Sequence, residues 1–274
     1  MNQARISLKQ GIHVMHLFYR VDRWKWLQLP SGESTGRRER LAALCQANNA
    51  PCQPRLTCYA NVGGKADLAF LLQHAELDGL ARMHRDLESC FPPGVLQPVF
   101  SYLSVTELTE YMPTLEDAKN RLQRQENLAP GTPEYEKRLA EESKRIEEYM
   151  HYRLYPELPD WEIMGFYPMN KRRVAGDNWY LLNFEQRKLL MGGHARTGRK
   201  YAGRVVQMIT GSTGLDDWEW GVTLMARQAD AIKEIVYEMR FDEVSARYAD
   251  FGPFYINLRL SPEALWQHLK LPHI

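Results

Sequence analysis

Residues 11–20 (GIHVMHLFYR) alternate in character and carry an aromatic pair, a period of two that predicts a strand. Residues 37–50 (RRERLAALCQANNA) have helical spacing and end on Asn-Asn. Residues 55–64 predict a strand closed by a Gly-Gly turn, and residues 66–74 another. Apolar positions in 76–90 recur at helical intervals, and 99–108 is again strand-like. The order is β-α-β-β-α-β, the split pattern of a ferredoxin-like unit.

The texture then changes. Residues 113–150 are dense in Glu, Lys, Arg and Gln, with both charge signs mixed. Pro133 after Thr132 is a favourable helix start, and Tyr135, Leu139, Ile146 and Met150 fall on one face of the helix that follows. The first pattern returns afterwards: strand 161–169, helix 184–191, strands 204–212 and 218–226, helix 229–249 with a break near Phe241, and strand 251–260. The expected fold class is α+β, with two ferredoxin-like βαββαβ halves packed into an α+β barrel. The expected divisions are an amino-terminal half (1–112), a charged helical connector (113–157) and a carboxy-terminal half (158–274). Such halves carry edge strands that need cover, which favours association within the chain and between copies.

Composition narrows the function classes. The chain has 274 residues, is 44% hydrophobic and 25% charged, and carries a net charge of +1. No global field draws it to nucleic acid or to an anionic membrane, so an anionic ligand must meet a local basic cluster. The first ten residues have no apolar signal core and no run is long enough to span a bilayer, which places the protein in the cytoplasm. Its four cysteines form no C-x-x-C pair and read as reduced thiols.

One stretch stands out. In FYPMNKRR (166–173), Tyr167, Met169 and Lys171 share a face of an extended strand. A strand ending in a solvated basic loop would explain Lys171 as well as a site would. Arg172 and Arg173 read as surface charges, and Trp218 and Trp220 as packing.

That stretch, together with HARTGRKYAGRVVQMITGSTGLDDWEWGVTLMA (194–226) and VYEMRFDEVSARYADFGPF (236–254), resembles the chlorite dismutase superfamily. Within it the similarity is to the coproheme decarboxylase branch. It is dense from about Arg153 to Phe254 and fold-level over residues 10–110. The resemblance implies the dimeric α/β-barrel fold and a homopentamer. It implies oxidative decarboxylation of two propionates of iron-coproporphyrin III to vinyls, giving haem b and carbon dioxide, with hydrogen peroxide as co-substrate. The porphyrin is both substrate and redox centre. A ferrochelatase is an implied transient partner.

By position, the resemblance makes His194 the iron ligand. Gly192 and Gly193 would soften the end of its helix, and Ala195 stands where the family commonly has Gly. Gln207 falls where chlorite dismutases carry an arginine. A neutral amide donates a hydrogen bond without adding charge, which argues against chlorite chemistry. Tyr167 would become the radical that takes hydrogen from a propionate β-carbon, with Lys171 managing charge and protons. Met169 would pack on the porphyrin edge. Arg153, Arg240 and Ser245 match propionate contacts, and Tyr102 is a further candidate. A haem carrier or sensor would show much the same pocket, and the Tyr167–Lys171 pair is what separates it from an enzyme.

Overall fold

A computed structural model describes residues 6–30 and 33–271; the first five residues of the amino-terminal stretch considered above lie outside them. The amino-terminal part runs β1 (His13–Val21), α1 (Arg23–Leu27), α2 (Glu33–Ala47), β2 (Arg55–Val62), β3 (Leu68–His74), α3 (Leu77–Ser89) and β4 (Leu96–Thr106). Two helices follow, α4 (Leu115–Arg124) and α5 (Pro133–Leu154). The carboxy-terminal part begins with β5 (Ile163–Lys171), a small hairpin of β6 (Arg173–Val174) and β7 (Asp177–Asn178), and α6 (Phe184–Arg199). It continues through β8 (Val205–Gly211), β9 (Trp220–Ala226), α7 (Ala229–Met239) and α8 (Glu243–Tyr248). Last come β10 (Ala249–Phe251), β11 (Tyr255–Arg259) and α9 (Pro262–Leu269).

Both halves share one strand order. The amino-terminal sheet runs β2-β3-β1-β4, and the carboxy-terminal sheet runs β8-β9-β5-β11, every pair antiparallel. In each, the order is second, third, first, fourth, which is the ferredoxin-like arrangement. The fourth strand of each half pairs with the second strand of the other: β4 with β8 at Val105↔Gly211, and β11 with β2 from Ile256↔Val62 to Arg259↔Tyr59. The sheet therefore closes into a barrel. Closure covers those edges inside the chain, the association between halves that the sequence pattern predicts.

Strand parity sorts side chains to two sides of the wall. Ile12, Val14, Phe18, Tyr102, Met164, Phe166, Met208 and Met225 meet inside the barrel. On the outside, α2, α3 and α9 cover the amino-terminal half over Leu17, Phe70, Leu80, Leu87 and Trp266. Helices α6 and α7 cover the carboxy-terminal half over Ile163, Tyr167, Val205, Leu224 and Ile235.

Local signals explain the helix boundaries. The Thr132 hydroxyl accepts from the Tyr135 N–H and Pro133 occupies the first turn of α5, as the sequence predicted. Helix 229–249 does break, between Met239 and Glu243. Helix α9 carries the same start signal, a Ser261 cap followed by Pro262, and the sequence reading missed it. The helix beginning at Phe184 does not end near Met191. It runs through Gly192 and Gly193 to Arg199, started by a capping box in which Asn183 and Gln186 bond reciprocally.

Candidate functional site

The outer face of the carboxy-terminal sheet gathers the candidates. On β5, Tyr167 lies opposite Val222 and Met169 opposite Trp220 of β9, while Phe166, just before Tyr167, points into the barrel. Lys171 follows on the outer face, four residues from Tyr167 and so about 13 Å along the strand. On β8, Gln207 lies opposite Leu224, also on the outer face. Its amide nitrogen comes so close to α6 that a Cβ on Gly198 would sit 3.3 Å from it. Glycine at 198 lets helix and strand approach at this point.

His194 lies within α6, not at a softened helix end. Its Nδ1 is 3.1 Å from Oδ2 of Asp242, and the Thr197 hydroxyl, one turn on, donates to Oδ1 of the same carboxylate at 2.8 Å. Asp242 is the N-cap residue of α8 but makes no side-chain cap bond there, because its carboxylate is turned to α6. Burial and the charge of Lys171 hold the His194 imidazole below its usual range, against the opposing pull of Asp242. The ring is neutral at pH 7 and its Nε2 is left for an external partner, the form in which imidazole binds a metal.

Lys171 is buried, and its ammonium lies 4.3 Å over the ring of Trp179. Burial lowers its pKa to about 8, with nearby Glu219 opposing. Glu219 does not pair with the ammonium. Its carboxylate accepts the Lys171 backbone N–H at 2.7 Å and the Tyr180 hydroxyl at 2.6 Å, and meets Arg173 at 3.1 Å. Arg240, just past α7, stacks on Phe251 at 3.7 Å and is near enough to Tyr167 to act on its phenol. Tyr167 itself stacks on Phe254 at 4.4 Å, and burial pushes its phenol pKa up. Among the described residues neither Lys171 nor Arg240 has a carboxylate ion-pair partner. A desolvated lysine and an exposed arginine without ion-pair partners on one face mark a place for an anion.

The remaining candidates sit at the margins. Arg153, in the last turn of α5, donates to the Glu107 carbonyl at 3.3 Å, and its buried Nε has no partner. Tyr152 beside it donates to the Gln207 carbonyl at 2.6 Å, tying α5 to the site strand. Ser245 is buried in α8. Arg172 and Arg173 pair with Asp250 and Glu219 and are surface charges, as expected.

The structure does not bring Tyr102 to this face. It pairs with His16 of β1 and packs on Phe166 at 5.6 Å inside the barrel, on the opposite side of the sheet from Tyr167. The reason is parity: residues 100, 102 and 104 of β4 point inward, but the inner face also carries the buried polar residues Ser104 and Thr106 while the apolar Leu103 and Val105 lie on the more exposed face, so polarity along the strand does not reveal which face is inner. Sequence reasoning also missed Asp242, Glu219 and Trp179. Asp242 had one visible sign, an acidic residue at a helix restart, but nothing local says that it serves His194, 48 positions away.

A neutral histidine, a buried lysine and an exposed arginine without described carboxylate partners, and a strand tyrosine together suit an anionic, metal-bearing ligand. The chain belongs to the chlorite dismutase family, whose model matches residues 37–260. A curated relative from Staphylococcus carnosus, named coproheme decarboxylase, is 37% identical over 97% of this chain and 98% of its own length. A solved structure of a haem-binding protein from Thermus thermophilus is 38% identical, covers 99% of both chains and superposes with a TM-score of 0.77. A mutant chlorite dismutase from Candidatus Nitrospira defluvii shares the fold at 18% identity, with a TM-score of 0.70 over 95% of this chain and 97% of that one.

Proposed function

We propose that this chain is a coproheme decarboxylase, an oxidoreductase that converts two propionates of iron-coproporphyrin III to vinyls with release of carbon dioxide, yielding haem b. One observation carries the reading: buried Lys171 and the more exposed Arg240, neither paired with a described carboxylate, lie with Tyr167 on the side of the sheet that also holds the neutral His194 imidazole. The residues fit this substrate. Its ring supplies donors to the iron, so a single protein nitrogen, Nε2 of His194, suffices. Its four carboxylates find Lys171, Arg240, Arg153 and Ser245. Bound there, the iron porphyrin supplies the redox chemistry with hydrogen peroxide as oxidant.

The chain's own residues do the rest. Asp242 orients His194 and raises the basicity of its other nitrogen. Gln207 offers a neutral N–H to the oxidant and brings no charge that would hold an oxychlorine anion. Met169 and the aromatic pair Phe251 and Phe254 exclude water around Tyr167. The Tyr167 phenol would give up a hydrogen atom to the peroxide-derived oxidant and take one from the propionate β-carbon; the carbon radical would then lose carbon dioxide and pass one more electron to the same two-electron oxidant, leaving the vinyl. Lys171, with a pKa near neutrality, binds the carboxylate when charged and moves a proton when not. The homopentamer, a transient ferrochelatase contact, the cytoplasmic location and the divisions at 112 and 157 belong to the same proposal. The repeated strand order supports the divisions. Among the described residues no helix is long and apolar enough to cross a membrane.

The test is to mix apoprotein with ferric coproporphyrin III, titrate in peroxide and follow the porphyrins by mass spectrometry. Stepwise loss of two carboxyl groups is expected. Tyr167→Phe should bind the porphyrin and yield no haem b, because only the phenolic O–H is gone. Tight binding by the unaltered chain with no mass change would overturn the enzyme in favour of a carrier or sensor.

A further inference from the structure

The amino-terminal half holds chemistry that the porphyrin face does not use. Cys45, in the last turns of α2, and Cys58, on β2, approach across the helix–sheet interface with their sulfurs 3.5 Å apart. Cys45 is partly exposed and lines a surface groove of about 510 Å³, together with Gln46, Asn49, Thr57 and Glu263. Cys58 lies behind it, 2% exposed, and also lines the groove wall. A disulfide needs sulfurs about 2.05 Å apart, so closure asks for roughly 1.5 Å of sulfur travel, within the reach of side-chain rotation. A third sulfur, Cys90, is buried nearby but directs its thiol to the Asp86 carbonyl at 3.3 Å. Cys52 is also free and takes no part in the pair.

We propose that Cys45 and Cys58 form a dithiol that hydrogen peroxide oxidises reversibly to a disulfide, a redox modification site in the half of the molecule that carries no porphyrin residues. The roles follow from position. Cys45 is the sulfur a small oxidant meets from the groove, and Cys58 resolves. The contact with Cys45, and then burial, hold the Cys58 thiol well above its usual range, so it keeps its proton until the second step.

The balance is simple. The Cys45 sulfur attacks one peroxide oxygen; an S–O bond forms, the O–O bond breaks, and the departing hydroxide takes the Cys45 proton as water. The Cys58 sulfur then attacks the sulfenic sulfur; the S–S bond forms, the S–O bond breaks, and the hydroxyl leaves as water with the Cys58 proton. Two thiols are oxidised and one peroxide is reduced to two waters. The bond would tie α2 to β2 and close residues 46–57 into a loop. Peroxide is the oxidant that the proposed reaction consumes, yet this thiol chemistry needs nothing from the porphyrin site.

The experiment uses the reduced, full-length protein with no porphyrin added. It is exposed to a few equivalents of hydrogen peroxide, quenched, alkylated in denaturant and weighed intact, and its peptides are mapped. The expected result is a mass loss of about 2 Da before alkylation and two of the four cysteines protected. A Cys45–Cys58 linked peptide should appear and vanish with dithiothreitol. Cys45→Ser, at the more exposed position, should form no disulfide while its circular dichroism matches the parent. Four alkylated thiols after an exposure that fully oxidises free cysteine would overturn the proposal. So would a bridge through Cys90 or Cys52, or over-oxidised Cys45 with Cys58 still free. Turnover is assayed separately, so failure of the porphyrin reading leaves this result untouched.

Discussion

The two halves of the barrel have the same strand order and the same helix-on-sheet layering, yet their outer faces have opposite chemistry. In the amino-terminal half the interface is mainly apolar, its polar contacts limited chiefly to Tyr19 with His84 and Glu88 and to the Cys45–Cys58 pair. Short α1 contributes Trp26, and α9, returning from the far end of the chain, contributes Trp266; their rings are 5.2 Å apart, and Phe91 packs on Trp266 at 5.0 Å. In the carboxy-terminal half no helix plays that part. Its face keeps Tyr167, Lys171, His194, Gln207 and Arg240. One half is closed by two extra helices and holds the fold together. The other leaves buried charge uncompensated, a cost in stability that natural selection retains only where a ligand repays it.

The largest way to break this contrast is to remove the plug. Trp266→Ala should cost about 3–5 kcal/mol of folding stability, the loss typical of a buried aromatic with a cavity left behind. Denaturant unfolding would measure it. Porphyrin affinity per folded molecule should be unchanged, because Trp266 touches nothing in the carboxy-terminal face. A parallel loss of affinity would mean that the halves are energetically coupled through the barrel.

The second substitution should act with the opposite sign. An unperturbed lysine titrates near 10.4, and Lys171 in the folded chain titrates at about 8. Between those values the unfolded chain holds a proton that the native chain has lost. Stability therefore rises with pH across that window and is flat on either side. Below pH 8 the charged, buried ammonium costs about 3 kcal/mol. Lys171→Met should recover much of that at pH 7 and flatten the rise between pH 8 and 10, both readable by urea denaturation. The same variant should bind the tetracarboxylate porphyrin more weakly. In the unaltered chain, binding should weaken as pH passes 8.

What was legible in the sequence follows from where the information sits. Period-two alternation in β5 put Tyr167, Met169 and Lys171 on one face, and the barrel keeps them there. The split βαβ order was read twice, and both readings hold. What failed was non-local. The parity of Tyr102 depends on which side of a closed barrel β4 turns inward. The partner of His194 depends on how the α7–α8 junction docks on α6. The glycines at 192 and 193 suggested a helix end, but each costs only about 1 kcal/mol in a helix, and contacts to α7 and α8 carry the helix through them. Helix α9 was readable in principle, since its Ser-Pro start repeats the Thr-Pro start of α5.

A smaller effect is expected at Asp242. Asp242→Asn keeps an acceptor for Nδ1 of His194 but removes the charge that favours the imidazolium. The histidine pKa, already below its usual range, should fall further, so proton competition for the iron ligand should begin at a lower pH. Loss of the carboxylate should still weaken iron ligation at pH 7 by about 10–100-fold, as second partners of metal-binding histidines do. Porphyrin titration across pH 4–7, followed by the Soret band, would separate the two effects. An unchanged affinity with an unchanged pH midpoint would mean that another residue orients His194.

The smallest change sharpens the comparison most finely. Gly198→Ala gains up to about 1 kcal/mol of helix propensity, but its Cβ would lie 3.2 Å from Met239 Cε and 3.3 Å from Gln207 Nε2. Both neighbours must yield by a few tenths of an ångström. The Met239 tip is flexible and can move; the Gln207 amide moves only by turning away from α6. Folding stability should thus change by less than about 1 kcal/mol, while the response of the bound porphyrin to peroxide slows because its one neutral donor is displaced. If Gly198→Ala changes stability but leaves the peroxide response intact, Gln207 is not the donor, and the close approach of α6 to β8 is packing and nothing more.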